Sequence, residues 1–336
     1  MLQRSLCLLA ALACPLGCET TPSPTDAGAL DAPAADTPQV DATDATDATD
    51  ATDAPDPLPP LRVQPTFGGE ERAPATACIG RFPGIARSGE GERFTVRVKD
   101  FQIEAAVPSL RMNVFLGAVT PGACSAPGCY TATTDDAGVA ELRGTPETLL
   151  GIEMLPLRRG ENEALNPTHA IAYTFLVPPR GEGAELLSIS ESTRRYMPQS
   201  AGLAVIDGTA QVMGLARDCD GALLKNAVVR VFDAGGREVA LGAQGPGAAY
   251  TNVVHRPDRA QRWTNFNGQF LVVNLPPSGA PYRVEVWGVV RAGEAPSRVA
   301  CDVVPTTPNA VSVYGLWPLR DDPPGHPCHR DADAGT

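Results

Sequence analysis

The chain has 336 residues, of which 39 are Asp or Glu and 27 are Lys or Arg, so its formal net charge is −12. Residues 19–60 hold ten of the acidic side chains and no basic one, which leaves residues 61–336 at only −3. Contact with a phosphate backbone needs clustered Lys and Arg, so this distribution excludes nucleic acid as the partner. The high Gly and Pro content (33 each) and low aromatic content (5%) favour many short strands joined by turns.

Residues 1–18 have the pattern of an export signal. Arg4 supplies a positive charge, and residues 6–13 form an apolar run. This run is much shorter than the about 20 residues needed to span a bilayer. We therefore expect a segment that directs export and does not itself anchor the chain.

Two cysteines at the end of this segment resemble the lipidated cysteine of bacterial lipoproteins. Cys18 is the preferred lipidation site, because the small Gly17 precedes it and the acidic tract follows, and Cys14 is the alternative. The resemblance implies a membrane partner reached through acyl chains. By resemblance to Gram-negative lipoprotein sorting, Glu19 in place of Asp after the cysteine implies the outer membrane. An ordinary secretory signal that leaves a soluble product is the competing interpretation.

Residues 19–60 form an acidic tract in which Asp-Ala-Thr occurs four times between residues 41 and 52. The repeat has no side chain large enough to build a core, and its regularly spaced like charges repel, so we predict a disordered, extended linker. Its role would be that of a tether for the folded part. Calcium binding by the Asp residues is the weaker alternative, since calcium needs several oxygens in fixed geometry.

From residue 61 onward apolar and polar residues alternate with a period of two, which predicts half-buried strands. The clearest strands are centred on residues 94–98, 110–114, 171–177, 229–231 and 282–286. A helical pattern covers residues 185–197, with Leu186 on its apolar side. The sequence thus predicts two β-rich modules, 61–200 with the short connecting helix and 201–320, followed by a polar tail, 321–336.

The two modules repeat one order of motifs. Residues 107–115 align with 224–232, and residues 134–138 align with 264–268, each pair leading into a strand. We interpret the modules as a divergent duplication.

The second copy carries the clearer motifs. They are Asp218-Cys219-Asp220-Gly221, Asn226-Ala227-Val228-Val229-Arg230-Val231-Phe232, Thr264 to Phe270, and Asn274-Leu275-Pro276-Pro277 before Tyr282. This series resembles the carboxypeptidase regulatory-like domain, a transthyretin-like β-sandwich of seven strands. The resemblance implies an all-β fold of two tandem seven-stranded sandwiches and brings no peptidase with it. Gly221 and Gly268 are expected in tight turns with positive φ.

Six cysteines remain after residue 18, and in an exported chain they are expected to form three disulfides. They are Cys78, Cys124, Cys129, Cys219, Cys301 and Cys328. Cys124 and Cys129 share one loop and are expected to close it. For the others we prefer Cys219 with Cys301, at the first and last strands of one module, and Cys78 with Cys328, among the fifteen pairings that six cysteines allow.

Within the sequence we find no catalytic motif, so we expect no enzymatic activity and no cofactor. His169 and His255 are isolated. The tail segment from His326 to His329 offers fewer than the about four ligands that zinc needs, which favours a disulfide with exposed histidines over a metal site. Acidic pairs beside glycines are interpreted as turn residues. These pairs are Asp135-Asp136 and Asp218/Asp220.

Trp287 is the candidate for recognition. By strand alternation it shares a face with Arg283 and Glu285 and points away from the core. It would pack against the first module, contribute to a sugar- or protein-binding face, or stand as a lone exposed aromatic. We expect a non-catalytic surface lipoprotein with a structural or adhesive role. The alternative is a module that binds an unidentified carbohydrate or peptide through Trp287 and the loop at 239–260.

Overall fold

The computed structural model describes residues 57–329, apart from residues 118, 120, 121, 123, 126, 157–168 and 243. In this part of the chain the fold is all β with one short helix. The expected signal segment and its candidates Cys14 and Cys18 lie outside the described residues, as does the acidic tract up to residue 56. Within the described residues, no helix has the length and apolar character needed to cross a bilayer.

A short strand, β1 (Arg62–Val63), precedes the first module. The strands of that module are β2 (Glu92–Asp100), β3 (Arg111–Phe115), β4 (Cys129–Thr133), β5 (Val139–Gly144), β6 (Leu149–Met154), β7 (His169–Leu176) and β8 (Ala184–Ser188). Helix α1 covers Glu191–Ser200, and the Ser190 hydroxyl caps it by accepting a hydrogen bond from the Thr193 amide. The predicted helix at 185–197 is therefore misplaced. Leu186 lies in β8, which pairs in parallel with β2.

The second module has seven longer strands and two strands of two residues. They are β9 (Ala210–Ala216), β10 (Leu224–Lys225), β11 (Val228–Phe232), β12 (Gly247–Thr251), β13 (Pro257–Asp258), β14 (Gln269–Leu275), β15 (Tyr282–Gly288), β16 (Ser297–Val304) and β17 (Ala310–Leu316). The segment 239–260, expected to be a loop, contains β12 and β13, because β12 pairs with β14. Gly221 and Gly268 have φ of +79° and +61°, which confirms the predicted turns.

Both modules use one scheme of strand pairing. We count the seven longer strands of each module in chain order. The first strand pairs antiparallel with the fourth and parallel with the seventh, which gives β5–β2–β8 in the first module and β14–β9–β17 in the second. The fifth strand pairs with the second and the sixth strands, which gives β3–β6–β7 in the first module and β11–β15–β16 in the second. The modules differ in the third strand, since β4 pairs with β3 whereas β12 pairs with β14. A shared scheme is what a duplication would produce.

One continuous sheet of nine strands runs through both sandwiches, in the order β13–β12–β14–β9–β17–β7–β6–β3–β4. The sandwiches join where β17 of the second pairs in parallel with β7 of the first, with Val311 opposite Ala170. The small sheet β5–β2–β8 completes the first sandwich, and β11–β15–β16 completes the second. The tandem modules are therefore fused through shared backbone hydrogen bonds, and α1 is not their sole connection.

The two small sheets cover opposite faces of the nine-stranded sheet. Ala170 packs in the core beneath β5–β2–β8, and its neighbour Val311 packs beside α1, so both lie on one face. Phe115 and Tyr314 pack in the core beneath β11–β15–β16, on the other face. Because Phe115 belongs to β3 of the first module, the second core also holds side chains from the first module.

The segment that leads into the first module packs on the second sandwich. The Leu61 amide donates to the Val289 carbonyl at 2.8 Å, β1 pairs with β10, and Leu61 and Val63 are buried in the second core. The Ala75 amide donates to the Asp218 carboxylate at 2.9 Å. The predicted boundary at residue 61 therefore assigns this segment to the wrong sandwich.

Tyr250 of β12 supports the sheet opposite it, since its hydroxyl accepts a hydrogen bond from the Val229 amide at 3.0 Å. Burial raises the pKa of Tyr250 from 10.0 to about 12. The Tyr250 hydroxyl therefore loses its proton at a lower pH in the unfolded chain than in the folded chain. As a result, the free energy of unfolding falls as pH rises from 10 towards 12. We expect this residue to account for about 1 kcal/mol of the loss between pH 10 and 11.

Chemical unfolding of the wild type and of Tyr250→Phe, compared at neutral pH and at about pH 11, tests this assignment. The variant lacks the hydroxyl, so it should start less stable by about 1 kcal/mol and then decline less with pH. Parallel declines in the two proteins would contradict the prediction.

Candidate functional site

Trp287 lies on the outer face of β15, as strand alternation predicts. Val284 and Val286 fill the core, whereas Trp287 is half-buried and donates from Nε1 to Glu285 Oε2 at 2.7 Å. The Arg230 guanidinium lies over the indole ring, 4.6 Å from its centroid. Trp287 thus packs within its own sheet, and the sandwiches meet at the β7–β17 pair.

Glu285 is the electrostatic centre of this outer face. Its side chain is only 2% exposed, and its Oε1 lies 2.8 Å from Arg298 Nη1 and 3.0 Å from Arg283 Nε. A buried carboxylate is costly unless it is paired and hydrogen-bonded, and here two guanidiniums and the Trp287 indole meet that need. The cluster is therefore built to hold the sheet together.

Aromatic rings and guanidiniums alternate across β11 and β15. Arg230 lies between Trp287 and Phe232, and Arg283 lies over Phe232 at 4.3 Å from the ring centroid. Arg230 Nε also donates to Glu238 Oε1 at 2.8 Å, and this hydrogen bond lowers the pKa of Glu238. Phe232 is buried under the two guanidiniums, so the half-exposed part of the row is Trp287 with Arg230 and Arg283, on which a sugar ring or a peptide side chain could stack.

An open cleft of about 340 Å³ lies at the Arg283 end of this row. Residues 233–236, Pro281, Gly325 and Pro327 complete its walls. Backbone hydrogen bonds from Arg237 and Gly235 help to lower the pKa of Asp233, so the cleft carries one carboxylate and one guanidinium. Such a cleft suits a small polar ligand better than an apolar one.

The C-terminal segment that lines this cleft also covers the β16 side of the face, so it is packed and not a free polar tail. Arg283 Nη1 donates to the Pro327 carbonyl and Arg298 Nη2 to the His329 carbonyl, both at 3.0 Å. The disulfide between Cys301 and Cys328 fixes this segment to β16. The two arginines that neutralise Glu285 therefore also hold the tail.

In the tail, the sulfur of Cys328 is bonded to Cys301 and does not serve as a thiolate ligand beside His326 and His329. Ligand atoms of Asp322, His326 and Cys328 lie within 4.8 Å of one another, but the Cys328 sulfur is bonded to Cys301. His326 Nδ1 lies 3.2 Å from the Cys328 amide, and His329 Nδ1 lies 2.6 Å from the Asp322 carbonyl. Both histidines are thus engaged with tail backbone.

The other candidate residues occupy turns. Asp135 Oδ1 accepts hydrogen bonds from the amides of residues 137 and 139, and Asp218 Oδ1 from those of residues 220 and 222, which is ordinary turn chemistry. His255 packs edge-on against Phe266, with ring centroids 5.5 Å apart. The His169 side chain lies outside the described part of the chain.

Three disulfides are present, and two differ from the preferred scheme. Cys124 pairs with Cys129 as expected, but Cys219 pairs with Cys78 and Cys301 with Cys328. Cys219 follows β9 of the nine-stranded sheet, whereas Cys301 lies opposite Glu285 on the outer face of the small sheet. The two cysteines that were expected to pair are thus in different layers.

The sequence pattern did not single out Arg230, Phe232 or Arg298. Arg230 alternates with Val229 and Val231, which indicates an outward position, but not that Trp287 lies beside it. That neighbour follows from the pairing of β11 with β15. Arg298 reaches Glu285 beside a register shift in the β15–β16 pair, and we find no local signal for it.

No protein-family model and no curated protein matches the chain. Among solved structures it is similar to the shaft pilin SpaA of Lactobacillus rhamnosus GG, at 13% identity and a TM-score of 0.22, over 69% of this chain and 99% of that one. It is also similar to GBS52, the minor pilin of Streptococcus agalactiae, at 9% identity and a TM-score of 0.18, over 69% and 98% of the two chains. At these values the similarity carries no argument about function.

Proposed function

We propose that this protein is a non-catalytic component of a bacterial cell envelope, with a structural or adhesive role. The observation that carries the proposal is the nine-stranded sheet, which fuses two sandwiches into one body. Three disulfides suit a protein that works in an oxidising environment outside the cytoplasm. The buried carboxylate at Glu285 is neutralised by arginines, an arrangement that serves stability better than reaction chemistry.

The proposal extends to the ancestry of the sandwiches and to the tether. The common pairing scheme of the two modules supports descent from one carboxypeptidase regulatory-like unit. The acidic tract at 19–60 would hold this body away from the membrane that carries the lipid.

Lipid attachment at Cys18 gives the direct test. In a bacterial host we expect the protein to incorporate labelled palmitate and to fractionate with membranes, because several acyl chains together give stable anchoring. Cys18→Ser should abolish the label and release the protein, whereas the control Cys14→Ser should keep both. A soluble, unlabelled wild-type product would contradict the lipoprotein proposal.

The second candidate function is recognition of a carbohydrate or peptide at the Trp287 face. The half-exposed indole, the Arg230 guanidinium above it and the neighbouring cleft favour this alternative. On glycan and peptide arrays we expect Trp287→Ala to weaken any specific binding at least about tenfold, as for an aromatic hot spot.

The control is Trp317→Ala. Trp317 also lies under an arginine, Arg217, but stacks on Phe82 away from this face. Equal losses of binding in the two variants would show that destabilisation, and not recognition, is responsible.

A further inference from the structure

Strand β4 forms one edge of the nine-stranded sheet. The Leu116 amide donates to the Gly128 carbonyl, which makes residues 116 and 128 a hydrogen-bonded pair. Pairs alternate along an antiparallel ladder, so the backbone groups of residues 130 and 132 face β3. The amides and carbonyls that face outward are therefore those of Cys129, Thr131 and Thr133.

Both edges of the small sheet β11–β15–β16 are covered. At β11, the outward Val229 amide donates to the Tyr250 hydroxyl at 3.0 Å. At β16, the Val299 carbonyl accepts from the Leu319 amide at 2.9 Å as the chain returns along that strand. Additional strands are thereby kept from pairing at either side.

The edges of the sheet β5–β2–β8 and the far edge of the nine-stranded sheet are also protected. On β5, the Tyr130 hydroxyl contacts the amide and the carbonyl of Arg143 at 2.5 and 2.8 Å. On β8, Glu185 forms an ion pair with Lys99 at 2.5 Å, which places charge on the edge. At the far end of the large sheet, β13 has two residues and one of them is Pro257. Short length, charge and proline are the usual protections of a sheet edge.

Among the described residues, strand β4 has none of these protections apart from its modest length of five residues. Its sequence, Cys-Tyr-Thr-Ala-Thr, contains no charge and no proline, and Thr131 and Thr133 are exposed. Threonine and tyrosine both favour strands. This uncharged edge stands out against the protected edges at β5, β8, β11, β13 and β16, and such an edge is suited to β-strand addition.

We propose that β4 pairs in antiparallel fashion with β4 of a second copy of this chain, about a two-fold axis through Thr131. This register places Thr131 opposite Thr131 of the second copy and Cys129 opposite Thr133, so every outward amide and carbonyl of both strands gains a partner. Tyr130 then lies opposite Ala132, a large residue beside a small one. The strand is thus self-complementary in hydrogen bonding, charge and volume.

A five-residue edge buries less area than a stable dimer needs, so the association is weak in dilute solution. Chains held on one surface reach effective concentrations of about a millimolar, which would favour the pair. The pairing itself does not depend on lipid attachment and is tested in solution.

The test uses the full chain with Cys18→Ser, studied by analytical ultracentrifugation up to about 1 mM. We expect concentration-dependent dimers. Thr131→Lys or Thr131→Glu alone should weaken dimerisation at least about fivefold, since like charges then face each other across the axis. An equimolar mixture of the two variants should dimerise again, because the opposed charges attract.

Thr95→Lys is the matched control, since Thr95 is an exposed threonine on the central strand β2 and should leave dimerisation unchanged. Thr131→Val keeps the edge hydrogen bonds and should still dimerise, which separates loss of pairing from loss of folding. A monomer at about 1 mM would overturn the proposal. So would Thr131→Lys and Thr131→Glu variants that dimerise like the wild type or fail to recover on mixing.

Discussion

Replacing Cys78 and Cys219 together by serine is expected to lower the free energy of unfolding by about 5 kcal/mol. The disulfide closes a loop across a sequence separation of 141 residues, and the entropy that it removes from the unfolded chain grows with loop length. Both cysteines are half-buried, so the serine substitutions themselves cost little through burial.

The matched control is the double replacement of Cys124 and Cys129. These residues are also half-buried, but their disulfide spans a separation of only 5, for which the same relation gives about 2 kcal/mol. Guanidinium unfolding followed by tryptophan fluorescence would measure both values. Equal losses, or a larger loss for the control pair, would contradict the prediction.

The second large effect is expected at Glu285. Glu285→Gln keeps the shape of the side chain but leaves Arg283 and Arg298 without their buried counter-charge, and breaking such a pair costs about 3 kcal/mol or more. Thermal and chemical unfolding should both report this loss. Tryptophan fluorescence should also change, because Trp287 donates to the same carboxylate.

Glu238→Gln is the control for this substitution. Glu238 also pairs with an arginine, Arg230, but both side chains are substantially exposed, so the expected loss is at most about 1 kcal/mol. Adding Arg298→Gln to Glu285→Gln should recover part of the stability, since the double variant removes one of the unpaired charges. A similar loss for both single variants would mean that Glu285 is not a buried counter-charge.

The alternation of apolar and polar residues predicts the strands whose position follows from their own residues. Alternation identifies β2, β7 and β15 and places Trp287 on the outer face, because strand side chains point to opposite faces in turn. Strand β12 escapes this rule. Its sequence, Gly-Ala-Ala-Tyr-Thr, begins with three residues that are depleted in strands, and pairing with β14 determines its conformation.

The long-range pairings are less accessible to sequence. The expectation that Cys219 pairs with Cys301 depended on two strands being neighbours in one sheet, and β9 and β16 lie in different sheets. Contacts within the candidate site are equally hard to predict from the sequence, because they join different strands. The outward position of Arg230 is readable from its flanking valines, but its contact with Trp287 requires knowledge that β11 lies beside β15.

The disulfide pattern also determines how the body would bear tension. From residue 57 the covalent path passes through Cys78 directly to Cys219, and then through Cys301 to Cys328, all within the second sandwich. The first sandwich lies inside the loop that the Cys78–Cys219 bond closes. A pull applied between residue 57 and the C-terminal segment would therefore load the second sandwich and bypass the first, which would stay folded while the second bears the force.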